Sequence, residues 1–339
     1  MFGDHLSGIY EKAFDPAISW EERLLRAREL GFDYVEISID EKDERIARLY
    51  DSGAALSELR AACANTGMQI KSMCLSAHRR FPFGSADAAV RARARDIMDR
   101  AIDFSCELGI RVIQLAGYDV YYEPSTPESV RAFREGMLWA AGRAERSQVM
   151  LAMEIMDTPF MNSITKHMGY EAMIRSPWYK VYPDLGNLSA WGENDPAQEL
   201  ARGMGSIVAV HLKDTIAVTD SCEGKFKCVP FGSGCVDFTA RFAELERLGY
   251  KGPYMIEMWY ADGTSDTAEI ASAAKWLQER FAEAEKLVEQ GADAVILGCT
   301  EIPLALTEPD LRGVPLLDAT KVLARALIIA FAPERLKKA

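Results

Sequence analysis

The residues most able to do chemistry stand at the ends of four apolar runs. VAVHLKDT (208–215) leads into His211, and Lys213 and Asp214 follow at once. VMLAMEIMD (149–157), YKVYPDLGN (179–187) and GPYMIEMW (252–259) each carry a carboxylate at or near the end: Glu154, Asp184 and Glu257. An apolar run that ends in charge reads as a buried strand whose last residues emerge at a sheet edge. One imidazole and three carboxylates at such edges make a mixed nitrogen–oxygen donor set for one divalent cation, with Zn²⁺, Mn²⁺ and Co²⁺ all suited to it. Singly, each residue has a plainer reading: His211 as a core histidine bonded to a carbonyl, the carboxylates as helix caps or arginine partners. Together they favour the metal.

Such a site serves proton abstraction next to a carbonyl. Glu154 and Glu257 would face each other across the substrate, each touching the ion. The ion holds the carbonyl oxygen and a neighbouring hydroxyl and stabilises an enediolate. One carboxylate removes the proton and the other returns it from the opposite face, which inverts that carbon. Further candidates bind substrate. In CLSAHRRFPF (74–83), His78, Arg79 and Arg80 could hold a phosphate, arginine being suited to paired oxygen contacts; the alternative is a surface loop pairing with acidic neighbours. In FGSG (231–234), Gly232 and Gly234 could offer backbone N–H groups to an anion. Asn187, one turn beyond Asp184, could touch a substrate hydroxyl. Lys213 could polarise an oxygen or pair with a carboxylate.

The elements that must position these residues alternate. Strands are expected at 7–10, 34–39, 69–75, 111–116, 149–155, 181–184, 207–212 and 254–258. Helices are expected at 20–30, 54–66, 86–108, 127–146, 163–175, 196–204, 238–248 and 266–290. Gly67 and Gly109 stand where helices would close. Eight such units, with strands too apolar for a wet face, imply a parallel sheet covered by helices and a (β/α)8 TIM barrel over residues 1–285. Its site would lie at the C-terminal strand ends. An open doubly wound sheet would want a glycine-rich phosphate turn after the first strand, and residues 7–12 offer none. Residues 286–339 are surplus to a closed barrel: two apolar runs, 292–298 and 314–318, and a helix at 319–331 form an appended C-terminal β-α-β-α segment.

Composition narrows the partners. The chain has 339 residues, 49% of them apolar, and a net charge of −12. That acidity argues against nucleic acid or an anionic membrane as the main partner. The N-terminus shows no basic stretch followed by an apolar one, and the most apolar run, 324–332, is too short to span a bilayer. A cytoplasmic protein is expected, with a homodimer as its oligomeric form. The seven cysteines are scattered, and the spacing of Cys222, Cys228 and Cys235 is not that of a structural zinc site.

SMCLSAHRRFPFGS, RVIQLAGYDVYY, LAMEIMD, NSITKHMGY, YPDLGNLSAWG, VAVHLKDT and GPYMIEMW resemble the L-ribulose-5-phosphate 3-epimerase family, also called L-xylulose-5-phosphate 3-epimerases, of the xylose-isomerase-like barrels. The likeness runs over about residues 6–282. It implies metal-dependent interconversion of L-xylulose 5-phosphate and L-ribulose 5-phosphate in L-ascorbate or related pentose catabolism. It also implies that Glu154, Asp184, His211 and Glu257 are metal ligands, with Glu154 and Glu257 as the acid/base pair. The loop TIAVTDSCEGKFKCVPFG looks longer than the family's. The tail, GADAVILGCTEIPLAL and VPLLDATKVLARA, resembles the C-terminal quarter of aspartate/glutamate racemases, where Cys299 would be one of two catalytic thiols; the half carrying the other is missing, so the tail is expected to be non-catalytic. Within the barrel, the alternatives are an epimerase or aldose–ketose isomerase acting on an unphosphorylated sugar. Metal-assisted phosphodiester hydrolysis would want more than four histidines, and a sugar-phosphate sensor would have lost a carboxylate that is present here.

Overall fold

Strand after strand in the first 256 residues is buried along nearly its whole length, so neither face of the sheet is left to water. The structure, a computed structural model, describes residues 1–51, 53–289, 295–297, 310–311 and 314–318. Eight strands form one parallel sheet: β1 (Ser7–Tyr10), β2 (Tyr34–Ile39), β3 (Gln69–Leu75), β4 (Val112–Leu115), β5 (Met150–Glu154), β6 (Tyr179–Tyr182), β7 (Val210–Leu212) and, after a hairpin, β10 (Tyr254–Ile256). The order is β6-β5-β4-β3-β2-β1-β10-β7. The ring closes where β7 meets β6. Parallel bridges join Val181 to Ile207 and Asp184 to His211, Val208 N donates to Val181 O at 3.1 Å, and His211 N to Pro183 O at 2.9 Å. The fold is therefore the expected (β/α)8 barrel and not an open sheet.

The helices end where side chains satisfy their free backbone groups. Asp87 caps α4 (Ala88–Leu108) through Ala89 N, and Gly109, at φ 76°, closes it. Thr126 and Ser129 form a reciprocal capping box at the start of α5 (Pro127–Ser147). The remaining long helices are α1 (Trp20–Glu29), α3 (Ala54–Thr66), α6 (Ile164–Ile174), α8 (Pro196–Gly203), α9 (Phe238–Arg247) and α10 (Asp266–Glu289). Two short helices, α2 (Asp43–Ala47) and α7 (Leu185–Ser189), follow β2 and β6 and were not expected. Inside the barrel, Tyr34, Ala152, Tyr182, Ala209 and Met255 pack together. β1 passes this layer at Gly8, where a Cβ would lie 2.4 Å from Met255 Cε and 2.5 Å from the Tyr34 ring.

The stretch 216–237 is more ordered than a loop. β8 (Asp214–Ile216) pairs antiparallel with β9 (Lys225–Val229) as a two-stranded arm. Among the described residues, no helix is long and apolar enough to cross a membrane. The chain divides into two compact units, Met1–Glu283 and Ala284–Ala339. Within the second, β11 (Val295–Leu297) runs parallel to β13 (Val314–Asp318), and β12 (Asp310–Leu311), not anticipated, pairs antiparallel with β13. The expected helix at 319–331 and Cys299 lie outside the described residues.

Candidate metal centre

Four neighbouring strands deliver the four candidate ligands. β5 ends on Glu154. Asp184, two residues past β6, caps α7 by accepting from Asn187 N at 2.7 Å. His211 sits in β7, and Glu257 follows β10, its N donating to Leu212 O. One donor atom from each lies within 4.8 Å of the others. His211 Nδ1 is 3.8 Å from Glu154 Oε1, 3.9 Å from Asp184 Oδ2 and 3.7 Å from Glu257 Oε2. All four side chains are buried.

The other imidazole nitrogen is committed. His211 Nε2 meets Glu36 Oε1 at 3.0 Å, and both residues are fully buried. A carboxylate accepts, so Nε2 carries a proton, which leaves Nδ1, facing the cluster, as the nitrogen that could bind an ion. The Tyr182 ring fixes the imidazole from its edge, centroids 4.6 Å apart. Glu36 was missed in the sequence because it stands mid-strand in YVEISI, where a carboxylate suggests a solvent-facing position. All six residues of β2 are in fact buried.

The electrostatics describe a site rich in negative charge. Burial raises Asp184 to about 7, against the pull of Lys213 and with the help of Glu257 and Glu154. Burial also raises Glu154, with Glu257 adding to it and His211 opposing. Burial would raise Glu257 too, but Lys213 and His211 outweigh it and hold it well below the usual carboxylate range. Burial works against a charged His211, yet Glu36 and the nearby carboxylates raise its pKa well above normal. Lys213 Nζ stands 3.1 Å from both Asp184 Oδ2 and Glu257 Oε2. Asp184 Oδ2, Glu257 Oε2 and His211 Nδ1 are nonetheless buried without a hydrogen-bond partner. Buried orphans of this kind are costly. Three of them converging in a mixed nitrogen–oxygen set fit a divalent cation.

A cavity of about 200 Å³ opens onto the cluster. Asn187 lines it: its Nδ2 donates to Ile155 O at 2.8 Å, while Oδ1 is buried and unpaired. Lys213 and Arg79 also line it. Arg79 Nη2 donates to Tyr118 OH at 3.3 Å, and the guanidinium lies 4.7 Å from the Tyr121 ring centroid.

Other candidates sit elsewhere. His78 is not at the cavity: the 3-10 turn Ser76–Arg79 directs it inward, where its ring stacks on Phe83 at 4.8 Å and Nε2 meets Ala94 O at 3.1 Å. Arg80 is at the surface, paired with Asp43 at 2.7 Å. Gly232 and Gly234 do offer N–H groups to an anion, but that anion is the protein's own Asp214, whose Oδ2 accepts from both at 2.9 Å. Its Oδ1 accepts from Thr215 N and Val236 N.

Residues 24–280 match the family of xylose isomerase-like TIM barrels, and residues 244–327 match the Asp/Glu/hydantoin racemases. The chain is 53% identical over 277 residues to the L-ribulose-5-phosphate 3-epimerase UlaE of Salmonella paratyphi C, covering 82% of this chain and 95% of that protein. It is 54% identical over 281 residues to the provisionally named L-ribulose-5-phosphate 3-epimerase SgbU of Escherichia coli K12, covering 83% and 98%. Among solved structures, an L-ribulose 3-epimerase superposes with a TM-score of 0.66 at 20% identity, over 84% of this chain and 97% of that one, a likeness of fold. The chain thus belongs to the xylose isomerase-like TIM barrels and, within them, to the L-ribulose-5-phosphate 3-epimerases, enzymes of the isomerase class.

Proposed function

We propose that this enzyme interconverts L-xylulose 5-phosphate and L-ribulose 5-phosphate by moving the proton at C3, with one divalent ion held by Glu154, Asp184, His211 and Glu257. The observation that carries this reading is the ring order β5-β6-β7-β10. It sets Glu154 and Glu257 on either side of Asp184 and His211, so two carboxylates approach one buried centre from two directions. When bound, the ion supplies Lewis-acid stabilisation of charge that develops on the substrate oxygens, and Zn²⁺, Mn²⁺ and Co²⁺ fit the donor set. One glutamate takes the C3 proton and the other delivers a proton to the opposite face, the roles exchanging in the reverse direction. Lys213 keeps Glu257 charged and ready to accept. Glu36 holds His211 in one orientation. The free Oδ1 of Asn187 accepts a substrate hydroxyl, and Arg79 takes the phosphate. Because a phosphorylated pentulose does not cross a bilayer, the cytoplasm is the matching compartment. Racemisation by two thiols needs one on each face of a carbon, and the tail's racemase-like stretch supplies Cys299 alone, so the tail is catalytically silent.

The test is turnover in deuterated water. Solvent deuterium should enter the product at C3. Glu154→Gln and Glu257→Gln should each lose roughly 10²-fold or more of turnover, the scale of general acid–base catalysis. Product that keeps its original C3 hydrogen would mean hydride transfer instead and overturn the mechanism. Equal turnover of unphosphorylated pentulose would remove phosphate from the assignment.

A further inference from the structure

Two cavities meet beside Glu257, and the reading so far uses one of them. Behind the cavity that opens onto the metal cluster lies a second, of about 320 Å³. Glu257, Lys213 and Trp259 line both spaces. Glu257 and Lys213 face each other at 3.1 Å within the cluster. The partition between the two spaces is therefore the Trp259 indole. The arm flanks it on either side, with Phe226 lining the first cavity and Val229 the second.

The partition is held in place. Glu257 N donates to Leu212 O at 3.0 Å and Tyr260 N to Lys12 O at 2.7 Å, so the backbone is tied on both sides of the indole. From the first cavity the Tyr10 ring meets the indole edge-on, centroids 6.3 Å apart, and Tyr10 OH is itself anchored on Ser38 Oγ at 2.9 Å. Lys213 Nζ lies 5.9 Å from the indole centroid, an attraction of ammonium for ring. The far walls of the second cavity do not depend on Trp259. Phe231 stacks on Trp276 at 6.3 Å, and Phe238 meets both rings edge-on at 5.5 Å. Gly232, at φ 84°, brings its turn so close to Trp276 that a Cβ would lie 2.8 Å from the ring. Val229, Pro230 and Met258 add to an apolar lining. A smaller side chain at position 259 therefore joins two preformed spaces, because close-packed walls relax only in part around lost volume.

We infer that Trp259 is a specificity-determining residue: its indole closes the second cavity to substrate and so limits the chain length of the ketose phosphate that reaches Glu257. This rests on the pentulose-phosphate reading above. A ketose with one more carbon before its phosphate, held at its reacting end, must bow its chain. The indole, fixed by Tyr10 and Lys213, refuses the bow, while the apolar space behind it would take the extra carbon. Discrimination then comes from exclusion by one side chain and not from any change at the reacting atoms.

The experiment measures kcat/KM and calorimetric binding for L-ribulose 5-phosphate and for its homologue with one extra methylene before the phosphate. Wild type should favour the shorter sugar by roughly tenfold or more, the scale on which a pocket rejects one carbon. Trp259→Ala should cut that ratio about tenfold or more by admitting the homologue, and Trp259→Phe should keep most of it. Ser272→Phe refills the second cavity from its exposed side. Alone it should leave both sugars as in wild type; added to Trp259→Ala it should restore the ratio. An unchanged ratio in Trp259→Ala, or a changed one that Ser272→Phe does not reverse, would overturn the inference. If Trp259→Ala does not fold, Trp259→Leu is read by the same criteria. Wild type that binds both sugars and epimerises neither would instead sink the pentulose-phosphate reading, and the binding ratios would then judge the wall.

Discussion

Glu36→Gln removes one charge and almost no volume, and its effect is read at the metal. In the wild type, Glu36 Oε1 receives His211 Nε2–H at 3.0 Å with both groups sealed from water, so His211 Nδ1 stays free. Glutamine keeps an acceptor but also presents an amide N–H₂ to the same ring. An imidazole that accepts from that amide must carry its proton on Nδ1, facing Glu154, Asp184 and Glu257 at 3.7–3.9 Å, and is lost as a ligand. Even without the tautomer change, the ring loses the basicity that an adjacent carboxylate lends it. The expected fall in metal affinity is about 10–100-fold, the usual effect of removing such a partner, or about 1.4–2.7 kcal/mol. Competition with a chromophoric chelator gives the affinity, and turnover is followed as metal is titrated back. Turnover should fail at limiting metal and largely return at saturation. A folded Glu36→Gln protein with wild-type metal affinity would refute the reasoning, as would one that stays inactive with its metal fully bound.

Three further expectations concern the frame. Burial lowers His78 to about 4, so between about pH 6.5 and 4 the unfolded chain binds the extra proton; its contribution to stability is complete above about 6.5, falls by roughly 3 kcal/mol as the pH drops to about 4, and is flat below. Urea unfolding of His78→Phe should lack that part of the acid decline, and parallel wild-type and variant curves would contradict it. Asp214→Ala strands the N–H groups of Thr215, Gly232, Gly234 and Val236 and should cost at least about 2 kcal/mol, with a raised KM for the sugar phosphate because the arm loses its anchor; wild-type stability would show that water replaces the carboxylate. Truncation after Glu285 should leave C3 epimerisation intact. Loss of epimerisation in a still-folded barrel, or aspartate or glutamate racemisation by the full chain that Cys299→Ala abolishes, would give the tail a catalytic role.

The barrel and its candidate metal cluster were legible because each β-α unit repeats one pattern, an apolar run closed by a charged or capping residue. Glu154, Asp184, His211 and Glu257 all end such runs. What failed to show were residues whose partners lie far off in sequence. Glu36 reads as a solvent-facing strand position until β7 is seen across the barrel. His78 stands between an alanine and two arginines, and nothing local tells that a 3-10 turn sends it to Phe83 and Ala94 while Arg79 goes to the cavity. The glycines at 232 and 234 read as a cradle for a substrate anion, whereas their N–H groups go to Asp214, which lies upstream across the arm. That arm was hidden because KFKCV is only five residues long, set in a polar stretch, and mostly exposed.

The seam between β6 and β7 has a consequence for the life of the molecule. β2 and β3 share a six-pair ladder, whereas β6 and β7 touch through isolated bridges, one of them between Asp184 and His211. The wall is thinnest where the candidate ligands meet. An ion held by Asp184 and His211, as proposed above, would therefore fasten the ring shut as well as serve the reaction, and its binding energy would be returned as folding energy. Under the proposed metal binding, a protein starved of metal would do more than fall idle: it would open first at its own active site, and its lifetime in the cell would follow the metal supply.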